Sequence, residues 1–217
     1  MMIQGMYALW LARNDTREGK RIEDPTHIAR GVARHMEEWK RVHGVRAPTV
    51  RNNICEQWKP PEQGWVKANI DGAMARSGWS GGGGVIFRDE DGAFRGAASH
   101  FFSDCSKPDM AELLACKKAI QLAIQRDIQK LHLETDSQVV AGMLEGKERN
   151  LSPVGQVVEE VKAMIRTRDD FRLTWVRRTA NGAAHLLAKL GVSSSVSVYW
   201  DIVPLDCILS TVSDEDP

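Results

Sequence analysis

Three successive stretches of strand-type patterning, with only turns between them, constrain this chain more than any other feature. Trp65 to Asp71 (WVKANID) alternates apolar and polar residues, as a half-buried strand should. A Gly/Ser-rich turn over 72–83 leads into Val85-Ile86-Phe87, which starts a second strand. Asp89-Glu90-Asp91-Gly92 is a hairpin signal, and Phe94 to Phe102 makes a third strand. Strands joined by tight turns run antiparallel. The period then changes. Pro108 to Arg126 is helical, with Met110, Leu113, Leu114, Ile120 and Ile124 tracking one face that Lys117 interrupts. Leu131 to Asp136 alternates again as a fourth strand, and helices are expected near 138–144 and 153–167. Phe171 to Val176 is a fifth strand, and Asn181 to Leu190 a closing helix. Strands reached through helices tend to be parallel. The expected fold is α/β: a five-stranded mixed sheet, three antiparallel strands and then two parallel ones, flanked by helices.

Two zones lie outside that pattern. Residues 1–59 read as a helical N-terminal extension and linker. Met6 to Ala12 is a short apolar stretch. Pro25 to His43 is amphipathic, with Ile28, Val32, Met36 and Trp39 at helical spacing and Asp24-Pro25 as its start. Pro48, Pro60 and Pro61 punctuate the linker after Arg46. Residues 193–217 read as a C-terminal tail with an acidic end, leaving 60–192 as the domain.

Composition narrows the function classes. No apolar run approaches the ~20 residues of a membrane span, and the opening MMIQGMYALWLAR has neither the basic start nor the cleavage site of a secretory signal. Cys55, Cys105, Cys116 and Cys207 are scattered without CxxC pairing, which argues against a zinc site or a disulfide framework and for a reducing compartment. The expected location is therefore intracellular, in nucleus or cytoplasm. The formal net charge of +0 gives no overall basic field, so any affinity for a polyanion must come from local patches or bound metal.

The chemistry-bearing candidates are acids at the ends of elements. Asp71 ends the first strand and Asp136 the fourth. If those strands are parallel neighbours, the two carboxylates stand ~5 Å apart, the inter-strand spacing. Acids that close repel unless a cation separates them. Glu112 sits in the first turn of the long helix, where the helix dipole favours an anion. Three hard oxygen ligands at one sheet end suit Mg²⁺ or Mn²⁺. Each residue also has a plainer reading: Asp71-Gly72 as a strand-ending turn, Glu112 as a solvated first-turn carboxylate, and Asp136-Ser137 as a helix cap. Gly81 to Gly84 lacks the GK[ST] of a phosphate loop and is expected to be a flexible turn allowing close backbone approach to a ligand.

In order and context, NIDGA at 69–73, GGGVIFRDEDG at 82–92, MAELLACKKAI at 110–120, LETDS at 133–137 and WVRRTANGAAHLLAKL at 175–190 resemble the ribonuclease H superfamily. They are most similar to the plant reverse-transcriptase-like ribonuclease H domains of non-LTR retrotransposons. The resemblance covers roughly 60–210, and residues 1–45 look like the segment preceding this domain in such polyproteins, which suggests a retroelement-derived product. It implies metal-dependent endonucleolytic hydrolysis of the RNA strand of an RNA–DNA hybrid with two ions bound. Asp71 would bridge the ions, with Glu112 and Asp136 completing their coordination and Glu112 near a ribose 2′-hydroxyl. Gly72, Ala73, Arg177, Arg178 and Asn181 would face nucleic acid. No membrane, small-molecule cofactor or oligomer is implied.

This chain departs from the family pattern in the closing helix. The fourth acidic ligand falls at His185, an uncharged, softer ligand that favours Mn²⁺ if it ligates, carries protons if it lies near product release, or packs the helix if it does neither. Arg177-Arg178-Thr179 stands where some cellular enzymes carry a His-containing loop, and the basic handle of some bacterial enzymes is missing. Two functional classes follow: an active ribonuclease H, and a catalytically weak or inactive nucleic-acid-binding domain derived from a retrotransposon. A 3′–5′ exonuclease ranks below both, because no Asp or Glu follows His185 before Asp201.

Overall fold

The structure, a computed structural model, describes residues 57–202 and Ile208. The helices expected over 6–12 and 25–43 lie outside the described residues. β1 spans Val66–Met74, β2 Gly81–Arg88 and β3 Phe94–Phe102; α1 spans Pro108–Gln125 and β4 Leu131–Thr135. Then come α2 (Gln138–Glu145), α3 (Gly155–Arg166), β5 (Phe171–Trp175), a 3₁₀ turn (Arg178–Ala180), α4 (Gly182–Ser194) and β6 (Val198–Trp200). The strands form one mixed sheet in the order β5-β4-β1-β2-β3-β6. β1, β2 and β3 pair antiparallel, while β4 lies parallel to β1 and β5 parallel to β4. The sheet has six strands where five were expected. Val198–Trp200, inside the supposed tail, pairs antiparallel with β3; three residues are too few for alternation to show.

Helices cover both faces. On one, Ala68, Ile70, Val85, Phe87, Leu131 and Leu133 of the sheet pack with Leu113, Cys116, Ile120, Val140, Val158 and Val161 of α1, α2 and α3. On the other, Ile86 and Ala97 meet Ala183, Ala184 and Leu187 of α4. Among the described residues no helix is long and apolar enough to cross a membrane.

The glycines of β2 explain how closely the helices lie. A Cβ at Gly84 would stand 2.0 Å from the Ala184 carbonyl oxygen, and one at Gly82 2.3 Å from that of Ala188. On the other face a Cβ at Gly83 would meet the Ala115 Cβ at 3.0 Å. Gly81 to Gly84 is therefore not the turn expected from its composition. It is buried strand, and what approaches its backbone is α4 and α1, not a ligand. The buried side of α1 follows the same logic. Ala111, Ala115, Cys116, Ala119 and Ala123 are buried, whereas Ile124 is exposed and Lys117 reaches Glu160 of α3 at 2.6 Å. Small residues share the buried side with Leu113, Ile120 and Leu122.

Candidate active site

β1 and β4 are in parallel register up to the pair Ile70↔Thr135. β4 stops there, but β1 runs on to Met74 beside β2, past the Asp71 end expected for it. Beyond Ile70, β1 has lost its β4 neighbour, and Asp71 and Asp136 are the next residues along the two chains. Gly72 admits the first turn of α1 against this stretch. Its missing Cβ would lie 2.4 Å from the Glu112 amide nitrogen. Asp71, Glu112 and Asp136 thereby offer carboxylate oxygens that all lie within 4.8 Å of one another.

The plainer readings of two acids find other occupants. Ser137, not Asp136, caps α2 by accepting the Val140 N–H at 3.2 Å. Asp71 is no turn residue but a nearly fully buried strand residue. Glu112 is half-buried, and its Oε2 is buried without a hydrogen-bond partner. Burial first, then the Asp71 and Asp136 charges, push the Glu112 carboxyl up to about 9. Asp136 is raised too, by burial and then by Asp71, with Arg178 opposing. Without a cation, the cluster holds protons that isolated acids would release.

The remaining groups hold this constellation. His185 on α4 places Nδ1 2.6 Å from Asp71 Oδ2. Arg178 Nη2 lies 2.8 Å from His185 Nε2, and its Nη1 3.8 Å from Asp136 Oδ2. Asn181 departs from the nucleic-acid contact expected of it. It is 0% exposed, and its amide donates to the Ile70 carbonyl at 2.9 Å and to Asp136 Oδ1 at 3.2 Å, tying β1 to Asp136. Gly72 and Ala73 are half-buried in the β1–β2 hairpin, and Arg177 and Arg178 are exposed beside the acids.

The family model described as reverse transcriptase-like matches residues 69–191. The chain belongs to that family. A protein of Arabidopsis thaliana named as a ribonuclease H protein is 32% identical over 163 residues, which are 74% of this chain and 26% of that protein. The chain thus spans about a quarter of the length of this curated relative. Among solved structures, the ribonuclease H1 of the archaeon Halobacterium salinarum is 22% identical. It covers 61% of this chain and 99% of that one, with a TM-score of 0.54. A ribonuclease H1 from compost, crystallised with an RNA/DNA hybrid, is 18% identical with a TM-score of 0.53, over 60% of this chain and 98% of that one. The domain has the ribonuclease H fold.

Two features of this reverse transcriptase-like domain escaped the sequence reading. Trp175 donates its indole N–H to the Asp136 carbonyl at 3.1 Å, steadying the turn that carries the acid. Beneath Asp71, the polar face of β1 is buried and paired. Lys67 meets Glu134 at 2.6 Å, Asn69 donates to Glu134 at 2.9 Å, and Arg88 donates to Asn69 Oδ1 at 2.8 Å and stacks 3.7 Å from the Trp58 ring centroid. The complementary charges of Lys67 and Glu134 on neighbouring strands were the available signal.

Proposed function

We propose that this chain hydrolyses the RNA strand of RNA–DNA hybrids endonucleolytically, with Mg²⁺ or Mn²⁺ held by Asp71, Glu112 and Asp136. One observation carries the reading: three acids from three elements converge within 4.8 Å, one of them with a buried, unpartnered oxygen. That donor set fits a hard divalent cation, which binds through few carboxylates and fills its shell with water and phosphate. Two such ions, when substrate is bound, supply an activated water and neutralise charge on the leaving oxygen.

The chain's own groups do the rest. Asp71, the most buried acid, would hold the ions together with Glu112 and Asp136, and Asp136 is oriented by Asn181 and Trp175. Glu112, beyond its ligand role, faces the ribose 2′-hydroxyl, the group that separates RNA from DNA. His185 holds a proton at Nδ1 toward Asp71 and serves as a proton carrier beside the site. The Gly72–Ala73 backbone and the exposed Arg177 meet the phosphate backbone. The hybrid-bound compost ribonuclease H1 supports a nucleic-acid partner for the same fold. A net charge of +0 makes that binding weak. We assign the work to nucleus or cytoplasm, and to a domain of about 60–192 whose sheet β6 extends.

A second reading, a nucleic-acid-binding domain without useful turnover, is favoured by His185 at the position where the resembled family carries a fourth acid. A labelled RNA–DNA hybrid incubated in Mg²⁺, and separately in Mn²⁺, beside Asp71→Asn separates the two. Cleavage leaving 5′-phosphate and 3′-hydroxyl ends, lost in the variant, is expected. Hybrid binding without cleavage in either metal establishes the second reading, and neither binding nor cleavage sinks both.

A further inference from the structure

Carboxylates packed this tightly need positive charge nearby. Part of it comes from the chain itself. His185 Nδ1 faces Asp71 Oδ2 at 2.6 Å, an acceptor, so this nitrogen donates to Asp71. Arg178 sets Nη2 against the ring, 2.8 Å from Nε2 and 3.0 Å from Nδ1, and turns Nη1 toward Asp136 Oδ2 at 3.8 Å. A guanidinium cannot lose its charge and has no acceptor. It therefore brings one full positive charge to the mouth of the cluster and closes a chain of contacts from Asp71 to Asp136.

We propose that Arg178 is a resident countercharge of this cluster, seated on His185 and facing Asp136, and that its seating competes with divalent-ion binding. The inference rests on the reading of the three acids as a metal site. It gives Arg178 a role distinct from the phosphate contact that its exposed position first suggests. It also defines what His185 can do. While Arg178 is seated, one imidazole nitrogen faces Asp71 and the guanidinium lies against both ring nitrogens, covering the ring from an entering ion. An entering ion must draw Asp136 away from Arg178, so part of its binding energy goes into replacing that partner. The guanidinium side chain is 64% exposed, which keeps the competition modest.

The test titrates Mn²⁺ into the metal-free full-length chain by calorimetry and records melting in chelator, for wild type, Arg178→Gln and Arg178→Lys. R178Q should bind Mn²⁺ roughly two- to fivefold more tightly, the range an exposed ion pair supplies. It should also melt about 2 °C lower without metal. R178K keeps the charge and should stay within about twofold of the wild-type affinity. Unchanged or weaker Mn²⁺ binding by R178Q overturns the proposal. If hybrid affinity alone falls, Arg178 is a phosphate contact instead. Equal tightening in both variants also overturns it, since the cause is then not charge. A wild-type chain that binds no Mn²⁺ fails at the earlier step, the metal site itself.

Discussion

Replacing Gly72 by alanine adds one methyl group where the backbones of β1 and α1 nearly touch. A Cβ there lies 2.4 Å from the Glu112 amide nitrogen, 2.6 Å from the Ala111 carbonyl carbon and 2.8 Å from Glu112 Cα. All three are main-chain atoms, so no side chain can swing aside, and the helix or the strand must move as a body. Ordinary carbon contacts begin at about 3.5 Å, which sets the displacement on the order of 1 Å. Overpacking of this kind costs about 2 kcal/mol, or about 4–8 °C in melting temperature for a domain of this size. The same movement carries Glu112 away from Asp71 and Asp136 and disturbs the Gly72 N–H bond to its carboxylate. A misplacement of ~1 Å in a reacting constellation costs about 100-fold in rate. Single-turnover cleavage of a labelled hybrid, run beside calorimetric melting, measures both effects. G72A with wild-type melting and a wild-type rate refutes the claim that the absent side chain brings Glu112 to the acids. Lower melting with an undiminished rate leaves the packing claim standing but removes the positional demand on Glu112.

Two further predictions concern charge. Glu112 is raised to about 9 in the metal-free fold, and Asp136 is raised as well, so the native state holds protons that the unfolded chain has released. Stability from these groups is full below their unfolded values, near pH 4, and is lost as pH rises toward about 9. Melting in chelator should therefore fall between pH 5 and 9, and saturating Mg²⁺ should flatten the slope; a metal-free profile that rises over this window contradicts the clustering. Lys67 and Glu134 form a buried pair 2.6 Å apart, so Lys67→Met strands an anion and should cost about 3–5 kcal/mol. Adding Glu134→Leu should recover most of that loss in the melting curve, and a double variant no better than K67M counts against it.

Much of the architecture can be read from periodicity because the chain obeys it locally. Alternation over 65–71 and 131–136 marks two strands, and Pro108 opens a helix where a Pro belongs. The misreadings of β2 and of α1 share one physical source, the expectation that apolar size predicts burial. α1 turns alanines and a cysteine toward the sheet, and β2 begins with four glycines, because both faces of the sheet are covered at very short range. Lys67, Asn69 and Asp71 read as a wet face, yet they are buried, Lys67 and Asn69 against Glu134, Asn69 also against Arg88, and Asp71 against His185. Asn181 looks like a loop residue free to touch a ligand, but only three-dimensional placement puts its amide between Ile70 and Asp136.

The same close packing explains why acids 24 and 41 residues apart along the chain can meet. Parallel register brings Asp71 and Asp136 side by side only because β4 ends one residue earlier, at Thr135, and Ser137 takes over the capping of α2. Glu112 joins them only because α1 begins over a residue with no side chain. α4 adds His185 to the opposite side because Gly82 and Gly84 let its backbone down onto the sheet. Each approach has its own small residue, and each brings charge toward a point that repels it. A fold optimised for stability alone would leave these carboxylates apart. Their assembly on glycines, at the end of the sheet where β4 leaves β1, is what ties the packing of this domain to its chemistry.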